Sequence, residues 1–261
     1  MTKNESRKKK LLQVLQVRQK INVQEASELI GISPATTRRF FTQLSAEGIA
    51  VRTHGGIQLL PESSQSYSYI LSTMRRIDEK ARISARAVEI VSSGDLLFLD
   101  SGTTMLKMAE ALELKFKTKI LTDIIVVTNS LVNYEILAPY CKVILACGEV
   151  RLSRRDTFGH LAEKILESVH IHKAFFGADA VHSEKGLMAT DEWTCRMNDV
   201  VSHNADSVYV LADSEKFGKS SLLSYSPLSG VNLIITDDGI GEKDLEPFRE
   251  KGANIEVVAL A

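Results

Sequence analysis

Residues 22–48 read NVQEASELIGISPATTRRFFTQLSAEG, and the punctuation of this stretch decides the architecture of the first part of the chain. Asn22 suits an N-cap, and Val23, Ala26, Leu29 and Ile30 recur behind it at helical spacing. Gly31 ends that helix where a left-handed conformation is wanted. Ser33 then caps a new helix at once, with Pro34 in the first position, where no N–H is needed. This second helix runs through Leu44 and closes at Gly48, so the spacing predicts helix, tight turn, helix. Upstream, Leu11, Val14 and Leu15 place another helix over residues 6–17. Downstream, residues 49–59 read as two alternating strands about the dipeptide Gly55-Gly56, a hairpin that forms a wing.

In such a motif the start of the second helix enters the major groove of double-stranded DNA, and side chains facing outward there must hydrogen-bond. Ser33, Ala35, Thr36, Arg38, Arg39 and Gln43 are the candidate DNA contacts. Arg38 and Arg39 lead, because a guanidinium donates in pairs to guanine O6 and N7 or to phosphate. Arg52 and His54 sit where a wing brushes the DNA backbone. A short solvated helical hairpin is the competing reading, and the adjoining wing argues against it.

The charge distribution agrees. Over 261 residues the formal net charge is −1, but residues 1–60 carry +6 and the remainder −7. A basic head on an acidic body suits a head that meets a polyanion. A 44% hydrophobic and 25% charged composition is that of an ordinary globular chain, long enough for two domains. No run of eighteen apolar residues occurs and the first ten residues are polar, so a cytoplasmic location with no membrane contact is expected. Cys141, Cys147 and Cys195 are odd in number and lack C-x-x-C spacing. They read as buried thiols, with no disulfide framework, metal site or cofactor implied.

The domains are expected at residues 1–60, a winged helix-turn-helix, and 78–261, an α/β effector-binding and oligomerisation domain, with a Ser-rich linker over 61–77. In the second domain, apolar runs at 96–99, 124–127, 143–146, 174–176, 208–211 and 233–235 read as buried strands. Helical stretches at 79–91, 105–112, 131–137, 162–169 and 193–203 separate most of them, which predicts a largely parallel sheet. Ligands of open α/β sheets collect at the carboxyl ends of the strands. There lie Asp100, Ser101, Gly102, Thr103 and Thr104, whose amides and hydroxyls can cradle a phosphate. Thr128, Asn129 and Ser130 repeat the arrangement, Gly148 and Gly177 let the backbone approach a ligand, and Lys216 offers a cation.

Taken together these residues resemble the deoxyribonucleoside-repressor (DeoR) family of bacterial sugar-metabolism regulators, over nearly the whole chain. The likeness rests on residues 32–39, Leu44, Glu47-Gly48 and residues 52–56 in the head. In the body it rests on Glu79-Lys80, residues 100–104, 128–130 and 175–177, 212–218 and 235–237. It implies a sensor domain similar to the sugar-phosphate isomerase fold, binding a phosphorylated sugar that alters operator affinity, with Glu192 added to the effector residues. The chain departs from the family pattern at Thr37 (usually Ile), Phe40 (usually Asp), Cys147 and Ala180 (usually Gly), and at Met197 or Asn198, where Lys is common. The expected function is therefore a non-enzymatic transcriptional regulator, a repressor of a carbohydrate operon. Its homo-oligomer, dimer or tetramer, would set two heads on inverted half-sites. Two alternatives stand beside it. One is a sugar-phosphate isomerase with Asp100, Lys216 and Glu192 as acid or base; the other is a regulator whose pocket binds nothing.

Overall fold

In the computed structural model, which describes residues 3–61 and 67–259, the chain forms two compact units that meet in sequence at Arg75 and Arg76. The first holds α1 (Lys3–Arg18), β1 (Lys20–Asn22), α2 (Val23–Ile30), α3 (Pro34–Ala46), β2 (Ala50–Thr53), β3 (Gly56–Leu59) and α4 (Tyr69–Thr73). The Asn22 side chain accepts the Glu25 N–H while the Glu25 carboxylate accepts the Asn22 N–H, a reciprocal cap that starts α2. Gly31, at φ 66°, ends it. Leu11, Leu12 and Leu15 of α1 pack with Ala26 and Ile30 of α2, Phe41 and Leu44 of α3, and Ile57 of β3. Thr37 is buried and satisfied: its Oγ1 lies 2.9 Å from Ser27 Oγ and donates to the Ser33 carbonyl at 3.1 Å.

Three features of this unit differ from the sequence reading. The hairpin turns at His54 and Gly55, since Thr53 pairs with Gly56, so Gly56 belongs to β3 rather than to the turn. The reason is close approach: a Cβ on Gly56 would come within 2.4 Å of the Ile21 carbonyl. That contact exists because β1, too short to show a period, completes a three-stranded sheet of order β1-β3-β2. Finally, α4 forms inside the stretch read as linker, and its Leu71 is buried with the head core.

The second unit runs α5 (Ile77–Val88), β4 (Leu96–Leu99), α6 (Thr103–Lys117), β5 (Ile125–Thr128), α7 (Leu131–Leu137), β6 (Lys142–Leu145), β7 (Glu149–Arg151) and β8 (Asp156–Phe158). It continues α8 (His160–Glu167), β9 (Ile171–Gly177), β10 (Ala180–His182), β11 (Gly186–Ala189), α9 (Glu192–Asn204) and β12 (Ala205–Leu211). β13 (Leu223–Ser226), β14 (Leu233–Asp237), α10 (Glu242–Glu250) and β15 (Ile255–Val258) complete it. Seven strands form a parallel sheet of order β15-β14-β12-β9-β4-β5-β6. Side chains alternate across it: Leu97 and Leu99 join the core of α5, α6 and α7, while Phe98 joins that of α8, α9 and α10. Burial on both faces explains why these strands read as continuous apolar runs. Each fully buried Leu or Met, such as Met105, Met108 and Leu112 of α6, contributes about 1.5–3 kcal/mol.

The sequence reading lacked β15, the β7–β8 hairpin and the small antiparallel sheet β10-β11-β13. These are strands of three or four residues, too short to show a clear period, so their local pattern is weak. Cys147 is exposed and Cys141 and Cys195 half-buried, against the expectation of three buried thiols. Among the described residues no helix is long and apolar enough to cross a membrane.

Candidate functional site

In the head, Ser33, Ala35, Thr36, Arg38, Arg39 and Gln43 are all exposed along α3, while Thr37, Phe41 and Leu44 face the core. Ser33 Oγ caps α3 by accepting the Thr36 N–H at 3.3 Å, and the two hydroxyls lie 3.0 Å apart. Among the described residues neither the Arg38 nor the Arg39 guanidinium meets a hydrogen-bond or ion-pair partner, so both are available to an external anion. Gln43 is engaged: it donates to Glu47, which also accepts from Lys8 at 2.6 Å. Arg52, on β2, reaches back to donate to Thr42 Oγ1 at 3.1 Å, beside α3, and His54 stands exposed at the tip of the turn. The fold thus brings the helix residues and the wing cation onto neighbouring surfaces of one unit.

In the body, the strand order reverses between β4 and β9: the chain proceeds outward from β4 through β5 and β6, then returns to β9 and proceeds the other way. A crevice opens at the carboxyl ends of strands at such a switch point. Asp100 follows β4 and Gly177 ends β9. The Asp100 carboxylate accepts the Ser101 N–H at 2.6 Å and the Gly177 N–H at 3.3 Å. A Cβ at Gly102 or Gly177 would meet ordinary contacts of 3.8–3.9 Å, so glycine supplies open space there rather than relief from a clash. No side chain caps the first turn of α6 behind Gly102, which leaves its amide N–H groups for an incoming acceptor.

Burial pushes the Asp100 carboxyl up to about 6; the Ser101 and Gly177 N–H groups oppose the rise, and the carboxylates of Asp156 and Asp179 add to it. Asp156, fully buried, accepts Ser101 Oγ at 3.1 Å and two N–H bonds from Arg151 at 2.9 and 2.7 Å. Arg151 also donates to Asp191 at 2.6 Å. For Asp191, burial works upward, yet the Thr194 N–H and the Arg154 and Arg151 cations hold the carboxyl below its usual range. Behind this lattice Tyr225 donates to the Gly177 carbonyl at 3.3 Å, and burial raises its phenol well above the ordinary value.

The other expected residues divide. Thr128 and Ser130 spend their side chains on the frame: Thr128 Oγ1 donates to the Leu99 carbonyl at 2.6 Å and Ser130 Oγ caps α7 on Asn133. Asn129 donates to the Thr157 carbonyl at 3.3 Å, while its Oδ1 is buried without a partner. Gly148 serves packing, since a Cβ there would sit 2.1 Å from the Phe158 carbonyl. Lys216 lies in the short turn after β12, one strand beyond Gly177, and its ammonium has no partner among the described residues. Glu192 stands apart, 70% exposed and 4.0 Å from Arg196 on the surface of α9; its neighbour Asp191 reaches the Arg151 network instead.

Two side chains were absent from the expected site. Lys80, buried on α5, donates to Thr103 Oγ1 at 3.0 Å and so sets a cation at the start of α6. A lysine in line with Ile83, Ser84 and Ala87 on a buried helix face was the available signal. Arg151 had none, because its reach depends on the β7–β8 hairpin. A cleft of about 530 Å³ between Phe116, Lys119, Tyr140 and Lys142 lies at the amino ends of β5 and β6 and contains none of the expected residues.

Comparison with known proteins bears on both units. Residues 7–63 match the family profile of the DeoR-like helix-turn-helix domain, and residues 75–238 that of the DeoR C-terminal sensor domain. A lactose phosphotransferase system repressor of Streptococcus mutans is 30% identical over 90% of this chain and 92% of its own. The HTH-type transcriptional regulator GlpR of Haloferax volcanii is 27% identical over 95% of this chain and 96% of its own. Among solved structures, ribose 5-phosphate isomerase A of Methanocaldococcus jannaschii aligns at a TM-score of 0.41 and 20% identity; the match spans about half of each molecule, 54% of both chains. With the sensor profile alone matching more than half of its length, the chain belongs to the DeoR family.

Proposed function

We propose that this protein is a repressor of a carbohydrate operon whose hold on operator DNA is set by a phosphorylated sugar bound at the carboxyl edge of the sensor sheet. The observation that carries this reading is the conjunction, in one chain, of a helix-turn-helix with two unpartnered arginines and a sheet switch point lined by open glycines. α3 lies in the major groove with Ser33, Ala35, Thr36, Arg38, Arg39 and Gln43 at or near base edges, and Arg52 and His54 contact phosphates. The effector phosphate sits at the start of α6, against the amides and hydroxyls of Ser101, Gly102, Thr103 and Thr104, with Lys80 and Lys216 as its cations. Asp100, Gly177 and Asn129 face the sugar. Thr128, Ser130 and Gly148 shape the frame, and Glu192 lies outside the site. The protein acts as a homo-oligomer, so that two heads meet inverted half-sites. The relatives named above are regulators, which weighs against an isomerase.

The test is a thermal-shift screen of the purified chain against pentose and hexose phosphates, followed by operator binding with each ligand that shifts. A true effector at about 100 times its Kd adds roughly 2.7 kcal/mol of stability and changes operator affinity. Absence of any shift across the panel rejects the effector half of the proposal. Absence of sequence-preferring DNA binding rejects the other half.

A further inference from the structure

Arg76 is the first residue of the sensor unit, directly after the last residue of the head unit in the chain. Its backbone is left-handed, φ 52° and ψ 44°, at the entry to α5. That conformation strains any residue with a side chain, and it persists only where surrounding contacts hold it. Here the guanidinium does the holding. Nη2 donates to Ser214 Oγ and to Asp237 Oδ2, each at 2.8 Å. Nη1 lies 3.3 Å from Glu79 and 3.7 Å from Glu215.

The far side of this junction is equally constrained. Asp237, 1% exposed at the carboxyl end of β14, also accepts the N–H and hydroxyl of Ser214, both at 2.8 Å, and the Gly239 N–H at 3.0 Å. Burial opposes its ionisation, and these donors with Arg76 hold its carboxyl below the usual range. The cluster leaves no slack: a Cβ on Gly239 would come within 2.4 Å of Ser214 Oγ, 2.7 Å of Asp237 Oδ2 and 3.1 Å of Arg76 Nη2. Ser214 opens the same three-residue turn that ends in Lys216. A rigid side-chain tie therefore joins the point where the chain enters the sensor to the turn bearing an unpartnered cation at the sheet edge.

We infer that Arg76 is the coupling residue of the regulator: its bonds to Ser214 and Asp237 fix the direction in which the chain enters the sensor. Engagement of Lys216 by an anionic effector moves the Ser214–Lys216 turn and alters that anchoring. The inference rests on the sugar-phosphate reading above and adds the route by which ligand binding reaches the head. It also separates binding from response, because Arg76 is not among the residues proposed to hold either ligand.

The experiment uses the full chain with a duplex that it selects from a random-sequence pool. Affinity for this duplex is measured with and without whichever of ribose 5-phosphate, fructose 1-phosphate, fructose 6-phosphate and inorganic phosphate gives the largest thermal shift. Arg76→Ala and the milder Ser214→Ala are compared with the parent. The parent's DNA affinity is expected to change about tenfold or more with the ligand. In both variants that change shrinks to about threefold or less, while ligand-free DNA affinity and ligand affinity each stay within about threefold of the parent. A purely structural tie would lower stability and leave the response in place. Variants that respond as fully as the parent overturn the coupling role and leave the effector reading standing. If Arg76→Ala does not fold, Ser214→Ala decides by the same criterion. A parent that binds DNA but responds to none of the four ligands overturns both.

Discussion

The Asp100 carboxylate and the Gly177 amide meet at 3.3 Å across the two strand ends where the sensor sheet changes direction. This bond closes the floor of the crevice with a buried acid instead of a cation. In the proposed site an anion would be held above it by amides, hydroxyls and lysines, while a carboxyl, pushed up to about 6 by burial, lies beneath. The proposed site therefore predicts that proton binding at Asp100 and ligand binding are linked.

The stability of the ligand-free protein carries the same proton. A carboxyl with a higher pKa folded than unfolded favours the native state below its unfolded value of 3.8 and loses that contribution as pH rises through about 6. Asp100→Asn cannot ionise. The stability of the parent relative to this variant is expected to fall by up to about 3 kcal/mol between about pH 4 and pH 7. Urea unfolding of both proteins across that range measures it; a difference independent of pH would mean that the carboxyl is not held protonated by burial.

Arg38→Ala is expected to weaken binding to the selected duplex by about 1–3 kcal/mol if the guanidinium reads a base, with relaxed preference at one position. A phosphate contact at Arg39 predicts a different signature. There Arg39→Ala weakens all duplexes alike and lowers the salt slope by about one unit. Salt titrations on selected and scrambled duplexes tell the two apart.

Two glycines at the same sheet edge should respond in opposite ways. Gly148→Ala forces a methyl to 2.1 Å from the Phe158 carbonyl, so it is expected to destabilise the sensor by about 1–3 kcal/mol. Gly177→Ala meets only ordinary contacts and should unfold like the parent, while its methyl narrows the crevice and reduces the ligand-induced thermal shift. Melting curves with and without ligand resolve both effects.

Thr37→Val keeps the shape of a buried side chain and removes its hydroxyl, leaving the Ser33 carbonyl short of one donor. The expected cost is about 1 kcal/mol. Combined with Ser27→Ala, the cost should fall below the sum of the single changes, because the 2.9 Å pair is then removed as a unit. Strict additivity in this cycle would show that the two hydroxyls do not support each other.

The helix-turn-helix was readable from residues 22–48 because each signal acts over one turn of helix: the Asn22 and Ser33 caps, Gly31 between them, and Val23, Ala26, Leu29 and Ile30 at helical spacing. The buried strands of the sensor were readable for a similar reason, since burial on both faces leaves unbroken apolar runs. The expected site omitted Lys80, quoted only for the family likeness, and Arg151, while the likeness added Glu192, which is 70% exposed. Local pattern says nothing of whether a charged side chain ends in solvent or in a part-buried network; one position separates exposed Glu192 from Asp191 in the Arg151 network.

Local sequence on its own determined the caps, the alternation of strand and helix, and the basic head, because those follow from backbone preferences and periodicity within a few residues. Tertiary structure alone decided that Asp100 and Gly177 face each other, that Gly148 is a packing glycine, and that Arg76 grips Ser214 and Asp237. Gly148 meets Phe158 through the β7–β8 hairpin, while the hydrogen-bonded partners lie 77 to 161 residues apart and come within reach only when the seven-stranded sheet closes.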